Sequence, residues 1–184
     1  MQADLVHRAR RGDREAFAVL AGGSVDRLYA IARLILRDAE LAEDAAQETL
    51  VRAWRDLPSL REVERFDAWL YRLTVRACAD IGRQRRRWRA ELAVVPREPS
   101  ELDRSAELAD RDELERGLRR LSEAQRTILV LTFYLGYAPG DVADALDIPV
   151  GTAKSRLHRG LAALRTTLGV ESERELGSAR ERPA

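Results

Sequence analysis

The segment from Ser122 to Arg165 leaves little choice of fold, because three short helices are written there together with the residues that start and stop them. Ser122 suits an N-cap and Gln125 completes a capping box, Ser-Glu-Ala-Gln, that satisfies free amides at a helix start near Glu123. Ile128, Leu131, Thr132 and Leu135 fall at helical spacing, and Gly136 stands where a left-handed C-terminal residue belongs. Pro139 fits the first turn of a second helix, where its missing N–H is not needed; Val142, Ala143 and Leu146 supply the buried stripe, and Asp147 to Pro149 the turn. In the third helix, Gly151 to Arg165, a step of about 100° per residue puts Ala153, Leu157, Gly160, Leu161 and Leu164 on one side. Lys154, Ser155, His158 and Arg159 face away, and the helix holds four formal positive charges and no acid. Two readings stand: a solvated face in an Arg-rich protein, or the recognition helix of a helix-turn-helix, with Arg, Lys and Ser contacting phosphates and base edges.

The rest of the chain sets outer limits. Its 184 residues, 45% of them hydrophobic, suffice for one or two small domains with real cores. No run approaches the roughly 18 to 20 apolar residues that span a bilayer, and the N-terminus, with Asp4, Arg8 and Arg10, lacks an apolar signal core, so a cytoplasmic protein is expected. The single cysteine, Cys78, lies on a helical apolar flank and reads as packing. Only His7 and His158 exist, without metal-ligand spacing, and no Gly-rich phosphate loop occurs. No enzyme activity, metal, cofactor or small-molecule substrate is therefore expected.

The fold class predicted is all-α: there is no sustained alternation of apolar and polar residues and no Asn-Gly or Asp-Gly hairpin turn. Helices are expected over about Asp4 to Arg11, Asp13 to Leu20, Ser24 to Leu36, Ala39 to Leu57 and Phe66 to Arg89, punctuated by Gly12, by Gly22 with Gly23, and by Pro58. The net charge of +1 conceals segregation, with five arginines and no acid over Arg83 to Arg89, then nine acids against four arginines over Glu91 to Gly117. A domain over 1–90, an acidic linker over 91–112, a helix-turn-helix domain over 113–169 and a polar tail over 170–184 are expected.

Two features of the N-terminal part exceed packing. In the helix opening at Asp38, Leu41, Ala45, Leu50 and Trp54 form an apolar surface beside Asp44, Gln47 and Glu48, acids that equally serve local capping and the helix dipole. In the helix from Phe66, Phe66, Trp69, Leu70, Leu73 and Ala77 repeat as a core stripe while Arg72, Arg76, Arg83 and Arg87 point outward. Beside Trp88, that basic face either holds a nucleic-acid backbone and stacks on a base or is simply solvated.

At these residues the chain resembles the extracytoplasmic-function sigma factors of bacterial RNA polymerase, within the sigma-70 superfamily. Glu43-Asp44-Ala45-Ala46-Gln47-Glu48-Thr49 followed by Arg52-Ala53-Trp54 is similar to that family's core-polymerase-binding motif, and Phe66 with Trp69-Leu70-Tyr71-Arg72 to its promoter-opening helix. Leu121-Ser122 with Gln125-Arg126, then Ile148 through Gly160, resemble the part that recognises the minus-thirty-five element.

The resemblance implies that the protein binds core RNA polymerase and promoter DNA and directs transcription initiation. Leu41, Asp44, Gln47, Glu48 and Trp54 would dock on the coiled coil of the polymerase's largest subunit. The loop Pro58 to Arg65, with Arg61 and Arg65, and the face carrying Trp69, Arg72, Arg76 and Arg83 would capture and open the minus-ten element. Thr152, Lys154, Ser155, Arg156, His158 and Arg159 would read the minus-thirty-five element. An anti-sigma protein commonly restrains such factors by covering the same surfaces. The chain departs from the family pattern at Arg76, where Asn is common, and at Ala138-Pro139-Gly140-Asp141-Val142-Ala143, where Ser or Thr followed by Glu-Glu-Ile-Ala is usual. Two other readings stand beside the resemblance: a helix-turn-helix regulator that binds paired half-sites as a dimer, and a helical interaction protein without DNA binding.

Overall fold

The structure, a computed structural model, describes residues 1–91 and 117–167, with side chains through Trp88 in the first span. Apart from Glu91, the linker expected over 91–112 lies outside the described residues, as does the tail over 170–184. The chain divides near Val94 into an N-terminal and a C-terminal unit. Every regular element among the described residues is helical.

Four α-helices build the N-terminal unit: α1 (Gln2–Arg10), α2 (Arg14–Leu36), α3 (Ala39–Asp56) and α4 (Phe66–Glu91). Short 3-10 turns, Leu57–Ser59 and Val63–Arg65, connect α3 to α4. Asp13 caps α2 by accepting the Ala16 N–H at 3.0 Å, and its other oxygen pairs with Arg8 at 2.7 Å. That amide first, and then the guanidinium, hold the Asp13 carboxyl below its ordinary pKa. Asp38 caps α3 in the same way, through the Leu41 N–H at 3.2 Å.

The break expected at Gly22 and Gly23 does not occur: α2 runs through both glycines as one helix of 23 residues. Ser24, read as the start of a new helix, instead donates its hydroxyl to the Leu20 carbonyl at 2.8 Å. The glycines weaken the helix locally, but Leu20 before them and Leu28 after them are buried in one core, Ile31, Ala32 and Ile35 are buried further along, and this burial on both sides holds the axis continuous. A Cβ at either glycine would meet nothing within 4 Å. Gly22→Ala and Gly23→Ala should therefore each stabilise the N-terminal unit by up to about 1 kcal/mol, read as a rise in the thermal midpoint. A fall would mean that α2 bends at this point in solution.

Small residues make α3 a thin partition. Its inward face is Ala42, Ala45, Ala46, Thr49 and Ala53, all buried, which lets α2 and α4 approach closely. Ala45 thus belongs to the core, and Leu50 packs against it, so neither forms the outer apolar surface expected of them. The Thr49 hydroxyl satisfies itself on the Ala45 carbonyl at 2.6 Å and that of Thr74 on Leu70 at 3.0 Å. Phe66, Leu70, Leu73, Ala77 and Cys78 are the buried stripe of α4.

In the C-terminal unit, α5 (Glu123–Leu129), α6 (Pro139–Leu146) and α7 (Val150–Thr167) follow a helical turn over 117–120. The capping box is formed in both directions: Gln125 N–H to the Ser122 hydroxyl at 3.3 Å, and Ser122 N–H to the Gln125 side chain at 2.8 Å. Arg126 ties the preceding turn to α5 by donating to the Leu121 carbonyl at 2.6 Å. Pro139 opens α6, and Asp141 accepts the Ala138 N–H at 3.3 Å, doing part of the cap's work where the family has Ser or Thr.

The first helix of the expected motif is not α-helical throughout. From Val130 to Tyr134 it widens into a π turn, with the Leu135 N–H reaching the Val130 carbonyl at 3.1 Å, before Gly136 closes it at φ 69°. The widening admits one extra residue, so the stripe slips: Ile128 and Leu131 are buried, Thr132 and Leu135 only half-buried, and Phe133 and Tyr134 face solvent. Where α7 crosses α5, Gly160 is buried, and a Cβ there would lie 3.6 Å from Gln125, in ordinary contact.

Candidate functional site

The outer face of α3 carries the first group of expected residues. Asp44 and Gln47 are exposed, Leu41 and Glu48 are half-buried, and Trp54 is 37% exposed. Trp54 is also a packing residue: its ring lies 5.0 Å from that of Phe17 on α2, tilted by 59°. Val51, which is 62% exposed one turn from Gln47, lies on the same face and escaped the sequence reading. Its signal was available, since a valine seven residues from Asp44 returns to the same side of a helix.

On α4, Trp69, Arg72, Arg76 and Arg83 share one face within about 60°, by the 100° step of a helix. Trp69 is half-buried with its ring 6.0 Å from that of Phe66; Arg72 is half-buried; Arg76 and Arg83 are exposed. Arg61 and Arg65 stand exposed on the turns before α4, with Arg65 paired to Glu62 at 2.8 Å. Phe66, at the start of α4, and Arg83 are about 25 Å apart along the helix, so these cations form a track rather than a pocket.

Acids of the same unit hold two of the cations nearby. Asp38, the α3 cap, also pairs with Arg85 at 3.1 Å, and Asp80 pairs with Arg83. Arg52 joins α3 to α4 by pairing with Glu48 at 2.7 Å and Asp80 at 2.8 Å. Those two carboxylates raise its pKa above the ordinary arginine value, Glu48 contributing most. The Glu48 and Arg52 pair was legible as an i,i+4 spacing. The links to Asp80 and from Asp38 to Arg85 were not, because they join residues 28 and 47 positions apart.

The third group lies on α7. Lys154, Ser155, His158 and Arg159 are exposed and share one side, whereas Thr152 and Arg156 are half-buried at its margin. The Ser155 hydroxyl donates to the Thr152 carbonyl at 3.0 Å, and Arg159 Nε donates to the Ser155 carbonyl at 3.3 Å, which directs that guanidinium back toward the N-terminal end of the helix. Cations and a hydroxyl at this end, with no acid in the first turn, can bind phosphates and donate to base edges in a major groove.

The chain matches sigma-70 region 2 over residues 24–89 and sigma-70 region 4 over residues 111–164. It is similar to the extracytoplasmic-function RNA polymerase sigma factor SigM of Mycobacterium tuberculosis, with 35% identity over 91% of this chain and 84% of that one. It is similar to SigW of Bacillus subtilis, with 28% identity over 89% and 94% of the two chains. Among solved structures it resembles the sigma factor RpoE from Bartonella quintana, crystallised with the anti-sigma factor NepR, at TM-score 0.66 and 27% identity over 83% of this chain and 94% of that one. CnrH, in complex with the cytosolic domain of CnrY, gives TM-score 0.62 and 27% identity over 92% and 97%. The protein belongs to the extracytoplasmic-function sigma factors of the sigma-70 family. As such it binds core RNA polymerase and promoter DNA and directs promoter-specific transcription initiation.

Proposed function

We propose that the work is divided between the surfaces as follows. Leu41, Asp44, Gln47, Glu48 and Trp54 on α3 dock on the coiled coil of the polymerase's largest subunit, carboxylates against basic partner residues. Trp69, Arg72, Arg76 and Arg83, with Arg61 and Arg65 on the turns, hold the minus-ten element, whose bases must leave the stack at a cost of a few kcal/mol that stacking offsets. Thr152, Lys154, Ser155, Arg156, His158 and Arg159 on α7 read the minus-thirty-five element. The observation that carries this reading is the acid-free exposed side of α7 at the end of a helix-turn-helix.

The domains are taken as 1–90 and 113–169, with 91–112 setting their reach. The protein acts in the cytoplasm as a non-catalytic factor, and an anti-sigma protein covering these surfaces restrains it. Among the described residues no helix is long and apolar enough to cross a membrane. The test is transcription in vitro by core polymerase with and without the protein, on genomic upstream fragments. New start sites support the assignment; no gain, together with dimeric DNA binding by the protein alone, would favour a conventional regulator.

Exchanging Lys154 and Arg159 for Ala should spare polymerase binding and cost about 1–3 kcal/mol per lost base contact at the upstream element, measured as promoter competition. Equal loss on every sequence would demote both residues to phosphate clamps.

A further inference from the structure

Arg52 stands inside a chain of four alternating charges that crosses from α3 to α4. Its Nε donates to Glu48 Oε1 at 2.7 Å and its Nη1 to Asp80 Oδ2 at 2.8 Å. The second oxygen of Asp80 accepts from Arg83. Arg52 is the least exposed member, at 21%, against 44% for Glu48, 41% for Asp80 and 58% for Arg83. The chain therefore runs from an accessible acid, through a sheltered guanidinium, to an accessible cation.

The four formal charges sum to zero, so each ion is held by the demand of its neighbours. Glu48 and Asp80 share one guanidinium, while Arg52 and Arg83 share one carboxylate. When an outside cation engages Glu48, Arg52 is left with Asp80 as its acceptor. Asp80, drawn further onto Arg52, then holds Arg83 less. Arg83 lies on the same face of α4 as Trp69, Arg72 and Arg76, so a loosened Arg83 adds one cation to that track.

We propose that Arg52 and Asp80 are positioning residues that tether Arg83 in the free protein and release it toward DNA phosphate when Glu48 is taken up by a cationic partner surface. This rests on the reading of Glu48 as a polymerase-docking residue and of Arg83 as a DNA-contacting one. Docking would thereby strengthen the grip on DNA through a single pair of helices, with no movement of the backbone.

The test uses the full chain without polymerase, a labelled mixed-sequence DNA duplex, and anisotropy titrations at several salt concentrations. Circular dichroism checks that each variant keeps its helical content. Asp80→Asn should tighten binding about two- to fivefold, the scale of an exposed ion pair. It should also steepen the dependence of log affinity on log salt by about 0.9, one added phosphate contact. Glu48→Gln, which removes the charge that competes for Arg52, should act in the same direction, but only while Asp80 is present. In an Arg83→Gln background both effects should vanish.

Equal tightening by Asp80→Asn with and without Arg83 would overturn the proposal, because it would show only the removal of a negative charge near DNA. No response to Glu48→Gln would overturn it as well, by disconnecting Glu48 from the chain. Arg83→Gln that alone leaves affinity and salt slope unchanged would remove the DNA role of Arg83, and the proposal with it, whereas the first two outcomes leave that role standing.

Discussion

Replacing Asp44 and Glu48 together with Ala should lower affinity for core RNA polymerase by about a hundred- to a thousandfold while helical content stays unchanged. Truncating one partner of a desolvated, hydrogen-bonded charge pair costs about 2–5 kcal/mol, mainly because the other charge is left buried and unpaired. The isolated fold has little stake in either side chain. Asp44 is exposed, and loss of Glu48 leaves Arg52 still paired with Asp80 at 2.8 Å. Competition binding against the unaltered protein measures the effect. Unchanged affinity in a folded variant would take the docking role away from this face of α3.

The second large effect lies in the C-terminal unit. Ile128 is fully buried on α5. Its replacement by Ala should cost about 2–5 kcal/mol through lost burial and the cavity left behind. The described part of this unit spans only residues 117–167, and a core on that scale rarely supplies more than about 3–5 kcal/mol. Ile128→Ala should therefore unfold the helix-turn-helix outright at growth temperature, while the N-terminal unit keeps its own melting transition. Polymerase binding through α3 should survive and use of the minus-thirty-five element should disappear. A single cooperative transition, shifted by a few degrees with upstream recognition retained, would contradict this.

What could be read from the sequence was local. The Ser122 capping box, Pro139 at the start of α6, the αL glycine at position 136 and the inward stripe of α7 each depend on residues within a turn or two of one another, so spacing and side-chain chemistry reveal them. The continuity of α2 through Gly22 and Gly23 was hidden, because what carries the helix across them is burial against other helices, and no nearby residue signals that. The π turn at Val130–Tyr134 was hidden for a related reason: the sequence permits an α-helical register there, and the observed one turns Phe133 and Tyr134 outward.

The candidate surfaces divide in the same way. The exposed side of α7 followed from periodicity and the absence of acids. On α3 periodicity gave the polar residues correctly placed on one helix, but alanine is equally at home in a core or on a surface, so the inward direction of Ala45 could not be told from spacing alone. The pairing of Asp80 with Arg52, and of Arg85 with Asp38, needed two helices to be folded side by side before it existed.

The alanine lining of α3 has an evolutionary corollary. Because four of the five inward residues are alanine, the smallest side chain that still favours a helix, the core constrains that side tightly, whereas Asp44, Gln47 and Val51 on the opposite side stand exposed. The exposed side chains at Asp44, Gln47 and Val51 can then be exchanged without repacking anything behind them. With α3 docking on polymerase as proposed, such a helix would let gene duplicates diverge in how strongly they compete for a shared polymerase while inheriting the same scaffold. It would also give an engineer one surface on which to rewrite that competition and build pairs of factor and polymerase that ignore their natural counterparts.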